Sequence, residues 1–108
     1  MLYELRIYDC VPGRLPNLLN RFQNHTTKLF EKHGIKQGGF WTTVIGGHNH
    51  RLYYFVVWKS LAEREEKWNK FQADPDWIKA RAESEKDGPI VAKVVNSLLT
   101  PTAFSSVK

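Results

Sequence analysis

From Leu52 to Trp58 every residue is apolar or aromatic: Leu52, Tyr54, Val56 and Trp58 fall on one parity of a strand, Tyr53, Phe55 and Val57 on the other. The run is too short to cross a bilayer as a helix, which takes ~20 residues, and its β-branched and aromatic side chains suit a strand. A strand apolar on both parities has to be covered on both faces. Helices of the same chain can supply one cover, and the rest of the sequence has to say what supplies the other.

Residues 2–9 alternate in strand fashion, with Tyr3, Leu5 and Ile7 on one face and Glu4, Arg6 and Tyr8 on the other. Pro12-Gly13 breaks this strand. Leu15, Leu18, Leu19, Phe22, Thr26, Leu29, Phe30 and His33 then recur at intervals of three and four, predicting a long amphipathic helix capped by Gly34. Gly39–Ile45 reads as a second strand, joined to the third by the glycine- and asparagine-bearing turn Gly46–Arg51, since those residues tolerate positive φ. Ser60-Leu61-Ala62-Glu63 is a capping box, and Leu61, Arg64, Trp68 and Phe71 form the inner stripe of the helix that it opens. Asp74-Pro75 ends that helix and starts a short one carrying Trp77. After Asp87-Gly88-Pro89 the chain is apolar at both parities from Ile90 to Leu99, a strand expected to be covered on both faces.

The order strand, helix, strand, strand, helix, strand predicts an α+β fold, the ferredoxin-like βαββαβ arrangement with a four-stranded antiparallel sheet. It forms one domain over residues 1–108, with an ordered core of about 2–101. In such a fold the helices cover one sheet face, so an apolar second face is a binding surface. RNA is one candidate occupant. Arg51, Tyr53, Phe55 and Val56 match the third-strand pattern of RNA recognition motifs, but Leu52 and Tyr54 stand where small residues belong, and the anion Glu4 lies close by. The net charge of +5 points the same way, yet the basic residues are scattered. Arg14, Arg21, Lys28 and Lys32 recur along one stripe that reads as a solvated helix face. Nucleic acid is therefore not the expected partner. A second copy of the chain fits better, because a domain this small buries only about two thirds of its unfolded surface and profits from an extended core.

Several spaced segments, in order, resemble the NIPSNAP family: Tyr3-Glu4-Leu5-Arg6-Ile7-Tyr8 followed by Pro12-Gly13, Lys32-His33-Gly34-Ile35-Lys36, and Gly39-Phe40-Trp41-Thr42-Thr43 with Gly46-Gly47. Ser60-Leu61-Ala62-Glu63-Arg64-Glu65 and Asp74-Pro75-Asp76-Trp77 continue the resemblance, which runs from Tyr3 to about Pro101. It implies a dimeric α/β barrel, two ferredoxin-like sheets face to face with helices outside, in a family whose biochemistry is mostly unknown. The expected dimer interface holds Glu4, Arg6, Tyr53 and Phe55. Unpaired charge there would be costly, so Glu4 and Arg6 should pair with each other or with Arg51 or Lys93.

Chemistry is less plainly written. His25, one position off the helix stripe, could face a gap between helix and sheet together with Tyr54, Trp58 and Arg64, a mixed pocket for a small apolar or aromatic ligand with Arg64 as its anion clamp. His48 and His50 are two imidazoles at a turn, short of the three or four ligands that zinc takes, so no metal is expected. The single cysteine, Cys10, forms no intrachain disulfide, and Asp9 beside it works against a reactive thiolate. The paired glycines lack the spacing that cradles a phosphate, and no residue demands a cofactor. With no basic-then-apolar leader, the cytoplasm is the expected compartment. A small-ligand-binding or interaction module, a cofactor-free oxygenase or isomerase acting on a small aromatic substrate, and an RNA-binding sheet remain as readings of function.

Overall fold

The structure, a computed structural model, describes residues 1–108. Strand β1 (Leu2–Cys10) leads into a helix built in three parts: α1 (Leu15–Arg21), a π turn (Phe22–Thr26) and α2 (Thr27–Lys32). Then come β2 (Lys36–Thr42), β3 (Arg51–Trp58), α3 (Leu61–Ala73), α4 (Pro75–Ser84) and β4 (Val91–Leu99). The four strands make one antiparallel sheet in the order β2-β3-β1-β4, which is the α+β architecture expected from the chain. No helix is long and apolar enough to cross a membrane.

The helix breaks are written locally. Ser60 Oγ accepts from the Glu63 amide at 3.1 Å, and Glu63 Oε1 accepts from the Lys59 amide at 2.8 Å, so the Glu63 amide in the first turn of α3 and the Lys59 amide just before its cap are both satisfied. Asp74 Oδ1 accepts from the Asp76 amide at 2.8 Å, capping α4, while its other oxygen meets His33 Nε2 at 2.7 Å and Lys32 Nζ at 2.8 Å. That one carboxylate therefore joins the end of α2 to the α3–α4 junction. The π turn, invisible in the residue spacing, keeps its released carbonyls occupied: Thr26 and Thr27 hydroxyls donate to the carbonyls of Arg21 and Phe22.

Strand β2 starts and ends three residues earlier than the expected Gly39–Ile45, and its pairing with β3 shifts between Gln37 and Phe40. Glycine allows this bulge. Gly39 has φ +117°, and a Cβ on Gly38 would lie 2.9 Å from Phe55 Cβ.

The helices cover one face of the sheet. On β1 the covered parity is Glu4, Arg6, Tyr8 and Cys10, aligned with Val56, Tyr54 and Leu52 of β3, and all seven are buried. Phe22, Phe30 and Phe71 pack over them, with Phe40 stacked on Tyr54 at 5.1 Å between ring centroids and Phe71 against Trp77 at 4.8 Å. The opposite parity, Tyr3, Leu5 and Ile7 with Tyr53 and Phe55, is only half-buried, and Trp41 beside it is 54 % exposed.

Three expectations are corrected here. Glu4 and Arg6 lie under the helices, on the opposite face from Tyr53 and Phe55, because the charged parity of β1 is the one that meets partners on β3, α3 and β4. Strand β4 is uncovered on both faces: the helices stop short of it, leaving Val94, Val95, Leu98 and Leu99 all exposed. Leu61 is 60 % exposed at the first turn of α3, so the inner stripe of that helix begins at Arg64.

Candidate functional site

Glu4 is completely buried, and its carboxylate is the hub of the covered face. A buried carboxylate is tolerated only when its lone pairs are occupied and its charge is matched. Arg64 from α3 grips it side-on, Nε to Oε1 at 2.8 Å and Nη2 to Oε2 at 3.1 Å. Arg6 Nη1 donates to Oε2 at 2.8 Å, Trp58 Nε1 to Oε1 at 3.0 Å and Asn96 Nδ2 of β4 to Oε2 at 2.9 Å. Burial alone would raise the carboxyl, but the donors Arg64, Asn96, Trp58 and Arg6 outweigh it and bring the group down to about 2.

The network continues through Arg6. Its Nε donates to the Tyr54 hydroxyl at 3.0 Å, its Nη2 to the Tyr8 hydroxyl at 3.4 Å, and the two phenol oxygens lie 2.8 Å apart. The guanidinium also sits 4.5 Å from the centre of the Trp68 ring, a cation–π contact that favours its charge in a dry site. Burial and the neighbouring Tyr8 push the Tyr54 phenol well above its ordinary 10, so it stays protonated. The result is a fixed polar wall that joins β1, β3, β4 and α3.

Tyr54, Trp58 and Arg64, expected together, do converge on this network, but as closely packed groups and not as the lining of a pocket. Arg64 is an anion clamp whose anion is the protein's own Glu4. His25 does not join them. It is exposed on the outer side of the π turn, near Asn17, Glu83 and Ser84, because the π turn carries Phe22 and Thr26 inward and leaves His25 outside. Arg51 pairs with Asp9 at 2.6 Å on the open face, and neither it nor Lys93 reaches Glu4. Burial raises the Cys10 thiol, with the Arg21 charge working against it and the Asp9 charge adding to it.

An open space adjoins the network one step along β1. A cavity of about 380 Å³ runs between α3, α4 and β4, walled by Arg6 and Tyr8 of the network and by Arg21, Trp77, Arg81 and Val94. Arg21, expected on a solvated stripe, is 4 % exposed, held by Ser84 Oγ at 3.2 Å and Glu85 Oε1 at 3.3 Å, with its guanidinium 5.3 Å from the Trp77 ring centre. The spacing did hold the signal, since Arg21 follows Leu18 by three and precedes Phe22, on the flank of the buried stripe. Asn96 and Tyr8 were also missed as site residues, and only tertiary pairing of β4 and β3 with β1 brings them in.

The NIPSNAP family model matches residues 3–106. The chain belongs to the NIPSNAP family. This NIPSNAP chain superposes over its whole length on a NIPSNAP family protein of unknown function from Agrobacterium tumefaciens, with a TM-score of 0.86 and 24 % identity, covering 94 % of that chain. A second NIPSNAP family protein from the same organism gives 0.87 at 21 % identity, over 99 % of this chain and 98 % of the other. A putative antibiotic biosynthesis monooxygenase from Nitrosomonas europaea aligns over 94 % of this chain and 98 % of its own at a TM-score of 0.64, with 5 % identity. At these identities the likeness is one of fold. Among curated proteins, none matches this NIPSNAP chain.

Proposed function

We propose that this NIPSNAP protein is a small-molecule-binding module, a homodimer in which two sheets face each other as an α/β barrel and each protomer holds one ligand between its own sheet and helices. The observation that carries the reading is the cavity of about 380 Å³ beside Arg6 and Tyr8. Its size falls in the range of about 300–1,000 Å³ usual for ligand sites, and one of its walls is a hydrogen-bonded network that binding would not need to order. The dimer is supported by the open face, where Tyr53, Phe55, Leu5 and Ile7 meet no helix. An uncovered apolar sheet of this kind calls for a partner, and a second identical sheet offers the matching surface.

A second reading, a cofactor-free oxygenase or isomerase acting on a small aromatic substrate, draws on one feature. The Tyr8 phenol borders the cavity and shares a hydrogen bond with buried Tyr54, so a proton can pass between Tyr8 and a bound substrate without a metal. Fold likeness to a monooxygenase adds nothing to it.

Light scattering during gel filtration tests the assembly. A particle of twice the 12.6 kDa chain mass, unchanged between low and high salt, is expected, and a stable monomer would overturn the barrel. Phe55→Glu, on the open face, should yield the monomer with its fold intact. A screen of small neutral and charged aromatics, followed by the indole signals of the tryptophans in NMR, tests the binding module. Shifts confined to Trp77 support it, and no response from any compound removes it. Tyr8→Phe separates the two functional readings, because an enzyme would lose turnover while a binding module keeps its ligand.

A further inference from the structure

Arginine forks and carboxylates are matched in a repeated way in this protein. Arg64 holds Glu4 through its Nε and Nη2, and Arg51 holds Asp9 through the same two atoms at 2.6 and 3.1 Å. This side-on edge presents two parallel N–H donors spaced for the two oxygens of a carboxylate. Arg21 is buried as deeply as any charged side chain in the molecule apart from Glu4, yet it uses neither atom of that edge. Both of its hydrogen bonds run through Nη1, and Nε is buried with no partner. A buried guanidinium donor without an acceptor carries a desolvation cost that an incoming acceptor removes.

The charges around the cavity agree. Four cations line it, Arg6, Arg21, Arg81 and Lys93, against one lining carboxylate, Glu85, and only Arg6 has a further anion, Glu4, behind the wall. Arg81 reaches Glu85 only at 3.7 Å and lines the same cavity as Arg21. The rest of the lining is Trp77, Pro89, Val91, Ala92 and Val94, with the polar Gln72 among them. Such a site has a cationic end and a body suited to a ring.

We infer that the cavity takes a small organic carboxylate, its head group held side-on by Arg21 with Arg81 alongside, and its apolar body packed against Trp77 and Val94. The inference rests on the binding-module reading above and specifies its ligand class. Arg64, the anion clamp expected from the sequence, has no part in it, being committed to Glu4.

Benzoate, its neutral isostere benzamide, and inorganic phosphate are the probes, each titrated into the intact protein while the Trp77 indole N–H is followed by NMR. Benzoate should move that signal and bind at least about tenfold more tightly than benzamide, the difference expected of a charge-assisted bidentate pair. Arg21→Lys keeps the charge and loses the fork, and should weaken benzoate about tenfold while leaving benzamide unchanged. Because Arg21 also ties α1 to α4, Arg81→Gln, at an exposed position, serves as the variant that must fold; it should weaken benzoate by a few fold. Benzamide binding as tightly as benzoate would overturn the carboxylate assignment and leave the binding module standing. Phosphate alone saturating the site would also overturn it, as would benzoate shifts at Trp41 with Trp77 still. No response to these probes or to the wider screen would remove both readings together.

Discussion

On β1, Glu4, Arg6 and Tyr8 lie under the helices, whereas Tyr3, Leu5 and Ile7 face outward and remain half-buried. The charged parity is the buried one. Polarity alternation tells which side chains share a face, and it does not tell which face the chain itself covers. Here the covered face is stabilised by saturation, with five donor contacts on one carboxylate. The open face leaves apolar area half-buried, which the proposed second sheet would remove from water.

The sharpest way to break this contrast is Glu4→Gln. It leaves buried Arg6 and half-buried Arg64 without their anion and should cost about 3–5 kcal/mol in chemical denaturation, the range for a broken buried ion pair. Acid should act on the same group more gradually. Folding lowers the Glu4 carboxyl from 4.5 to about 2, so the folded state favours the ionised form. Its contribution is complete above about pH 4.5 and is lost as pH falls toward 2, amounting to about 3 kcal/mol. Denaturation curves across that window should be steep for the natural chain and flatter for Glu4→Gln, and equal slopes would contradict the network.

Tyr54→Phe removes the hydroxyl between Arg6 and Tyr8 and should cost about 1–2 kcal/mol, since both partners stay buried. On the open face, Tyr53→Ala should cost the protomer under about 1 kcal/mol, because a half-buried side chain loses little, while measurably weakening the proposed dimer. His25→Ala should change stability by less than about 0.5 kcal/mol, as expected of an exposed residue away from any cap or ion pair.

Element type and order were legible because they follow from local rules: the Ser60 and Asp74 caps, the Gly34 stop and the alternation of β1 all act within a few residues. The grouping of Tyr54, Trp58 and Arg64 was legible too, by strand parity and helix spacing. What escaped were features decided by tertiary placement. Which face of β1 lies under α3 depends on the whole packing, and Asn96 reaches Glu4 across 92 residues of chain. The π turn inserts one residue into a helical repeat, which moves His25 outward without any mark in composition. Arg21 was masked by its charge, because a basic residue at helical spacing is usually solvated.

Strand β4 lies at one edge of the sheet, with its pairing groups on that side unbonded within the protomer, and carries Val94-Val95 and Leu98-Leu99 exposed on both faces. A bare edge of this kind is a template for adding further strands, the first step of ordered aggregation. Asn96-Ser97 divides the two apolar pairs, Lys93 precedes them and Pro101 follows. Charge and proline at those places act as gatekeepers. Asn96 meanwhile ties this edge strand to the buried Glu4, so the strand that is most open to added partners is also the one pinned to the core network.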